Sequence, residues 1–420
     1  MNKKTISLGL ALMLLAVLAA CSSGQSPQGH DAENDYEVKI IDNGQAVEII
    51  RYIGNRTDIR IPSHIKNLPV TAIGDDAFWK KQLTSVTIPD SVTSIGDWAF
   101  AGNQLASVTI PPGVTVIEFG AFGKNKLTSV TIPSGVTIIK EAAFYDNNLT
   151  SVVIPHSVTT IGKSAFRDNR LASVTITDTV TAIGPAAFYK NQLAHVTIPL
   201  GVTSIENFAF AGNELSGVII PSGVTIIKEA AFRDNRLTSV TIPHSVTSIG
   251  DMAFMNNWLT NAIIPDSVTA IGELAFAGNK LTNVVIPHSV AAIEYGAFAD
   301  NRLTSVTISA GVISIGERAF YSNRLTSLTI PHSVTSLGWE AFAINQITSI
   351  TIPPGMTPIK DWEKNNSRCA AFNILRGASV KTVYFRAFDT GFDSFYRNNG
   401  NKGGTYTYVC GQHTCRWNME

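Results

Sequence analysis

Residues 83–103 read LTSVTIPDSVTSIGDWAFAGN, and this pattern returns every 22 residues along most of the chain. Its phenylalanine marks the period, because thirteen Phe residues follow one another at this spacing without an insertion or deletion. They are Phe78, Phe100, Phe122, Phe144, Phe166, Phe188, Phe210, Phe232, Phe254, Phe276, Phe298, Phe320 and Phe342. Self-similarity at a fixed period of this size is the signature of a repeat architecture.

Seven positions of the 22-residue unit are apolar in nearly every copy. In the quoted unit they are Leu83, Val86, Ile88, Val92, Ile95, Ala99 and Phe100. A unit of this length cannot enclose a hydrophobic core by itself, so each copy must bury these side chains against the next. The sequence therefore predicts a β-rich solenoid of about thirteen turns with a cap at each end.

Strands are predicted at two places in each turn. Val86 and Ile88 alternate with Ser85 and Thr87, which is the period of two that marks a strand with one buried face, and Pro89 ends it. Parallel stacking at about 4.8 Å per turn would give a continuous sheet roughly 58 Å long over twelve intervals. The alternation returns within residues 92–95, which predicts a second short strand.

An asparagine follows each phenylalanine after two intervening residues in twelve of the thirteen turns, and Lys81 takes its place in the first. A buried amide can satisfy backbone groups of its own turn and of the next one. We therefore expect a structural ladder rather than a binding site. Its members are Asn103, Asn125, Asn147, Asn169, Asn191, Asn213, Asn235, Asn257, Asn279, Asn301, Asn323 and Asn345.

Composition excludes several classes of protein. The 420 residues include 32 basic and 32 acidic ones, 45% are apolar and 15% are charged. These values argue against a disordered chain, a basic nucleic-acid binder and a polytopic membrane protein. Nucleic acid is therefore not an expected partner.

The first residues resemble a targeting signal. Lys3 and Lys4 precede an uncharged apolar run, Ile6 to Ala20, which is too short for an ordinary membrane-spanning helix. Leu18-Ala19-Ala20-Cys21 is similar to the lipobox of bacterial lipoproteins. We therefore expect a signal peptide over residues 1–20, lipidation of Cys21, and a flexible, membrane-anchored tether over residues 21–34.

The period also predicts the remaining domain boundaries. Residues 35–66 break the repeat and carry an Asp42-Asn43-Gly44 turn signal between two apolar runs, which predicts a β-hairpin cap. The solenoid is expected over residues 67–357. Residues 358–420 lose the pattern and are rich in aromatic side chains, so we expect them to form the C-terminal cap.

The core LxxVxIPxxVTxIGxxAFxxN resembles the leucine-rich repeats of the BspA-like, treponemal type over residues 61–356. This resemblance implies a right-handed coil of the leucine-rich-repeat class with a parallel β-sheet. It also implies a bacterial surface protein whose relatives are often associated with adhesion to host matrix proteins, host cells or other bacteria. The family has no catalytic motif to transfer.

A candidate ligand-contact face lies on the outward positions of the first strand. The Ser85 and Thr87 columns contain no Asp, Glu, Lys or Arg in any of the thirteen turns. One interpretation is strand propensity alone, and another is a broad, uncharged, hydrogen-bonding platform. The candidate contact residues are Ser129, Thr131, Ser173, Thr175, His195, Thr197, Ser239 and Thr241. Regular Thr and Ser also allow a more distant alternative, ice binding.

Charged residues collect beside the ladder. Basic residues directly after the asparagine in six turns and Asp residues directly before it in four turns predict local ion pairs on a solvated loop, with a polyanion site as the alternative. The bases are Lys126, Arg170, Arg236, Lys280, Arg302 and Arg324, and the acids are Asp146, Asp168, Asp234 and Asp300.

No residue pattern predicts catalysis, a cofactor or a metal ion. His156, His244, His288 and His332 share one column but never occupy adjacent turns, so neighbours would stand about 9.6 Å apart or more, too far for one zinc ion. Cys410, His413 and Cys415 match no strong zinc spacing, and for Cys369, Cys410 and Cys415 a disulfide or free thiols are favoured.

The sequence therefore predicts a non-catalytic, lipid-anchored adhesin or interaction scaffold of the bacterial cell envelope, exposed at the surface. We expect it to bind a protein or glycan through many weak contacts. The alternatives are a structural envelope component without a soluble ligand and, more distantly, an enzyme in the C-terminal tail. The oligomeric state is not predicted.

Overall fold

The computed structural model describes residues 31–347 in full and, as backbone, four further strands at 349–352, 382–385, 406–410 and 415–419. The predicted solenoid is confirmed: successive 22-residue turns stack through parallel strands, and the only helices in this described part are two short 3₁₀ segments.

Strands form at up to two positions of each turn, which we call the first and second ranks. At the first position the turns of Thr109, Thr131, Thr197 and Ile219 have only isolated bridges. The first rank contains β3 (Asp58–Arg60), β6 (Ser85–Thr87), β10 (Ser151–Val153), β12 (Ser173–Thr175), β16 (Ser239–Thr241), β18 (Asn261–Ile263), β20 (Asn283–Ile286), β22 (Ser305–Ile308), β24 (Ser327–Thr329) and β26 (Ser349–Ile352). The second rank contains β5 (Leu68–Ile73), β7 (Ser94–Ile95), β8 (Val116–Ile117), β9 (Ile138–Ile139), β11 (Thr160–Ile161), β13 (Ala182–Ile183), β14 (Ser204–Ile205), β15 (Ile226–Ile227), β17 (Ser248–Ile249), β19 (Ala270–Ile271), β21 (Ala292–Ile293), β23 (Ser314–Ile315) and β25 (Ser336–Leu337).

The first rank is not the continuous sheet that the sequence predicts. Its strands pair two by two, and single bridges join some of the other turns. The backbone hydrogen bond just before the strand follows the same division. Its N···O distance is 2.7–3.1 Å where strands pair, as for Ala172 to Thr150, and 3.2–3.4 Å where they do not, as for Thr282 to Thr260. Neighbouring turns therefore lie slightly farther apart at the unpaired intervals.

The second rank is more continuous and breaks at a fixed interval. Two four-stranded sheets, β13-β11-β9-β8 and β14-β15-β17-β19, follow each other along the solenoid. In most turns the residue after the strand donates its N–H to the isoleucine of the preceding turn, as Gly250 does to Ile227 at 2.7 Å. Within residues 31–347 this bond is missing at Glu118, Glu206 and Glu294, which are spaced by 88 residues.

The breaks occur where a residue with a side chain follows a glycine of the preceding turn: Glu118, Glu206 and Glu294 follow Gly96, Gly184 and Gly272, whereas Lys140 and Lys228 follow a glutamate and keep the bond. At Gly162 an added Cβ would lie 2.5 Å from the backbone carbon of Lys140 in the preceding turn, so glycine allows the turns to approach closely. Glu206 carries a Cβ at the equivalent position, and its turn starts a new four-stranded sheet. The 88-residue spacing of these glutamates is therefore also the spacing of the breaks in the hydrogen bonding.

The core is a column of parallel phenylalanine rings. The thirteen Phe side chains are buried, their neighbouring ring centroids are 4.9–5.7 Å apart, and their planes differ by 3–14°. Tyr52 continues the column on Phe78 at 5.6 Å, and Tyr36 packs on Tyr52 at 5.5 Å. The first cap therefore completes the aromatic core, and burial raises the pKa of Tyr36.

Each turn bends inward through two residues with positive φ. They stand at the columns of Trp98 and Gly102, and all thirteen turns show both. Glycine occupies only five of these 26 positions: Gly102, Gly120, Gly212, Gly278 and Gly296. The remaining 21 residues are held in a left-handed conformation that L-amino acids disfavour.

The N-terminal cap contains η1 (Glu33–Asp35), β1 (Tyr36–Ile41), η2 (Asp42–Gly44), β2 (Ala46–Tyr52) and β4 (His64–Ile65). β1 and β2 form an antiparallel hairpin, and β2 pairs in parallel with β5 of the first turn. Asp31 is buried, binds the side chain of Arg56 and accepts a hydrogen bond from the Arg60 N–H at 2.8 Å. Asp31, which lies in the expected tether, therefore contacts the cap.

Three strands follow the repeats at the C-terminal end: β27 (Thr382–Phe385), β28 (Tyr406–Cys410) and β29 (Cys415–Met419). β27 pairs in parallel with β26, and β28 and β29 form an antiparallel pair. Cys410 and Cys415 are opposite each other in that pair. Their side chains, Cys369 and His413 lie outside the described part of the structure.

Candidate functional site: the strand face

The outward residues of the first rank form an uncharged surface, which we call the strand face. It consists of the Ser85 and Thr87 columns from residue 85 to residue 329. Four aliphatic side chains interrupt the Thr column and are strongly exposed: Val153, Ile219, Ile263 and Val285 have 65%, 84%, 64% and 58% of their surface accessible. Contiguous exposed apolar side chains are typical of interaction surfaces, and Ile263 and Val285 stand in adjacent turns.

A shallow depression of about 480 Å³ lies on this face. Gly217 replaces serine there, and no atom lies within 4 Å of the position that its Cβ would occupy. His195, Ile219, Ser239 and Thr241 are among the other residues that line the depression. An imidazole, hydroxyl groups and an aliphatic side chain therefore meet around one open position.

The eight candidate contact residues are all exposed, but the structure does not gather them into one site. His195, Ser239 and Thr241 line the depression. Thr131 and Thr241 stand five turns apart, which corresponds to about 24 Å at the usual strand spacing. The candidate residues therefore mark an extended surface. Gly217 is not among the predicted contact residues, although it is the only glycine in its column.

The twelve ladder asparagines lie inside the coil and are buried. Each Nδ2 donates to the carbonyl oxygen of the phenylalanine in its own turn at 2.8–3.2 Å and to that of the preceding turn at 2.8–3.0 Å. Each Oδ1 accepts the N–H of a leucine at 3.0–3.1 Å. The Nδ2 and Oδ1 atoms of these amides are hydrogen-bonded to the backbone, so they are not available to a ligand.

The ion pairs differ from the expected pattern. Asp168 and Asp234 bind the arginine that precedes each of them in the chain, Arg167 at 2.9 Å and Arg233 at 3.0 Å. Within residues 31–347 neither carboxylate forms an ion pair with the base that follows the ladder asparagine. Among those bases, Arg236 pairs with Glu214 of the preceding turn at 3.0 Å.

Two further ion pairs join adjacent turns directly after a break in the second rank. Lys228 binds Glu206 at 2.7 Å, and Lys140 binds Glu118 in the same way. The hydrogen bond to Glu118 raises the pKa of Lys140.

The histidine column shows one acid contact. His288 Nδ1 lies 3.5 Å from Asp266 Oδ1, and both side chains are more than 70% exposed. Within the part of the chain that the structure describes, no three metal-ligating side chains come together. Across the same residues, no helical segment combines the length and apolarity that crossing a bilayer requires.

The chain is similar to known repeat proteins in both sequence and fold. A family profile described as the BspA type leucine rich repeat region (6 copies) matches residues 71–194, 159–281 and 271–391. Stacked turns with inward leucine, isoleucine and phenylalanine side chains define the class as leucine-rich-repeat solenoids. The chain belongs to the BspA-type leucine-rich repeat family within that class. No curated protein sequence matches it.

Two solved structures are similar to the chain. A leucine-rich repeat protein from Bacteroides ovatus shares 22% identity over 77% of this chain and 88% of its own, with a TM-score of 0.59. A leucine rich cell surface protein from Faecalibacterium prausnitzii shares 26% identity over 88% of this chain and 97% of its own, with a TM-score of 0.54. The first likeness supports the fold, and the second protein is described as a surface protein.

Proposed function

We propose that the chain is a lipid-anchored protein of the bacterial surface that acts as a non-catalytic adhesin or interaction scaffold. The observation that carries this proposal is the strand face, an uncharged surface with exposed aliphatic side chains that extends over twelve turns. Such a face suits a protein or glycan ligand that is held by many weak contacts rather than in a deep pocket.

Display at the surface rests on the N-terminal sequence. The signal peptide of residues 1–20 is removed, Cys21 carries the lipid, and residues 22–30 connect it to the cap. Metabolic labelling with a radioactive fatty acid tests this step. Label is expected on the wild-type protein and not on the Cys21→Ser variant. Equal labelling of both proteins would disprove the lipid anchor.

The binding role is tested with the full chain purified from its host. It is applied to an array of extracellular-matrix proteins, neutral and acidic glycans, host cells and bacterial cells, and a lipoprotein without repeats serves as the control. Specific binding to at least one of these surfaces is expected. Binding no stronger than that of the control, together with envelope damage after deletion of the gene, would identify a structural envelope component instead.

A further inference from the structure

A row of cations follows the edge of the strand face in the last third of the described solenoid. Lys280, Arg302 and Arg324 stand directly after the ladder asparagine in three successive turns, and Trp258 holds this position one turn earlier. Each backbone N–H donates to a leucine carbonyl oxygen of the preceding turn at 2.9–3.0 Å, so the local geometry is the same in each turn. Neighbouring members are therefore about 4.8 Å apart along the solenoid. We call these three cations the basic row.

The basic row carries uncompensated charge. Within residues 31–347, none of its three side chains forms an ion pair, whereas Arg236 in the same column is held by Glu214. Asp300 stands two residues before Arg302 and does not pair with it. Like charges at this spacing repel one another, so an anion that bridges them gains from all three.

Apart from the exposed carboxylate of Asp300, the residues beside the row are neutral. Lys280 Nζ lies 4.4 Å from the ring centroid of Trp258, whose side chain is 45% exposed. On the other side, each turn continues with a threonine and then with the strand-face residues Asn283, Ser305 and Ser327. A ligand on the row would therefore meet cations first and hydrogen-bonding side chains beside them.

We propose that the basic row binds a linear acidic glycan whose carboxylate or sulfate groups pair with Lys280, Arg302 and Arg324. This inference rests on the proposed interaction role and names the class of ligand. Guanidinium groups bind planar and tetrahedral oxyanions through paired hydrogen bonds, and a regular row of them suits a polymer with regularly spaced acids. Adjacent Asn and Ser side chains would bind the sugar hydroxyl groups.

Other polyanions fit the row less well. A nucleic-acid surface needs a strongly basic protein, whereas this chain has 32 basic and 32 acidic residues. An anionic membrane is flat and would have to meet a broad cluster of cations, but the row is one residue wide and neutral side chains flank it.

The test uses the full chain and two double variants that lose equal charge. Arg302→Gln/Arg324→Gln removes two cations of the row. Lys126→Gln/Arg170→Gln removes two cations of the same column that do not stand in adjacent turns. Heparin, hyaluronate and neutral dextran are the glycan probes, vesicles with an anionic lipid are the membrane probe, and thermal unfolding confirms that each variant is folded.

The wild-type chain is expected to bind heparin or hyaluronate and not dextran. Affinity should fall by about tenfold or more in the row variant and by less than about twofold in the matched variant, with a weaker salt dependence in the former. Equal losses in both variants, or binding to vesicles without binding to acidic glycans, would overturn the proposal. If the chain binds a matrix protein but no acidic glycan, only this inference fails. If it binds nothing, the proposed function fails as well.

Discussion

The side-chain amide of Asn213 donates to the carbonyl oxygen of Phe188, which precedes it by 25 residues and belongs to the preceding turn, at 2.9 Å. It also donates to Phe210 of its own turn at 3.0 Å, and its oxygen accepts the N–H of Leu193 at 3.1 Å. One buried side chain therefore ties two turns together beside the stacked rings. Because this arrangement repeats in twelve turns, turns with only short strands still form one continuous hydrophobic core.

We predict that Asn213→Ala destabilises the chain by about 2–4 kcal/mol, because it leaves buried backbone groups without partners. Repeat arrays can depart from two-state unfolding, so amide hydrogen exchange in residues 188–213 is measured together with the denaturation midpoint. The matched control is Asn261→Ala on the exposed strand face, where a change within about 0.5 kcal/mol is expected. Similar destabilisation by both changes would contradict a special role for the ladder.

Glu206→Gly should close one break in the second rank. Without a Cβ, residue 206 can approach the preceding turn and donate to the Ile183 carbonyl, as Gly184 donates to Ile161 at 2.8 Å. Slower hydrogen exchange of the residue 206 amide is the expected result. Lys228→Gly is the control, because its N–H already bonds to Ile205 at 2.9 Å. An unchanged exchange rate at residue 206 would show that the side chain does not cause the break.

The left-handed positions offer a stability test. Ala186 has a φ of 54°, so Ala186→Gly should stabilise the chain by about 0.5–1 kcal/mol through relief of backbone strain. Gly212→Ala should destabilise it by about 1 kcal/mol for the same reason. Ala187→Gly, at a buried neighbour with ordinary φ, should destabilise it instead. Chemical denaturation compares the variants, and destabilisation by Ala186→Gly would contradict the interpretation.

Much of the architecture is predictable because it repeats. The positions of Phe100 and Ile95 indicate burial in every turn, and the structure buries both. The positive φ at Trp98 and Lys124 gives no sequence signal, because the conformation is imposed by stacking and accepts almost any side chain. Breaks in the first rank accompany differences of a few tenths of an ångström in backbone N···O distance, which an alternation pattern does not encode.

The candidate site is predictable to a smaller extent. The columns without charged residues identify the strand face. A repeat pattern describes only what the turns share, so it does not indicate a position where one turn differs from the others. Gly217 is such a position, and its effect becomes visible only when the neighbours His195 and Ser239 are placed around it. The unpaired state of Arg302 and Arg324 likewise depends on where the carboxylates of adjacent turns lie.

The most direct test of the strand face as the binding surface changes Thr131, Thr175 and Thr197 together, once to lysine and once to glutamate. The ligand is the component of the array that the wild-type chain binds most strongly. Its affinity for each variant is measured by surface plasmon resonance. Loss of binding in both triple variants is the predicted result, since contact fails whichever charge is introduced. Unchanged binding in both variants would contradict direct contact at this face.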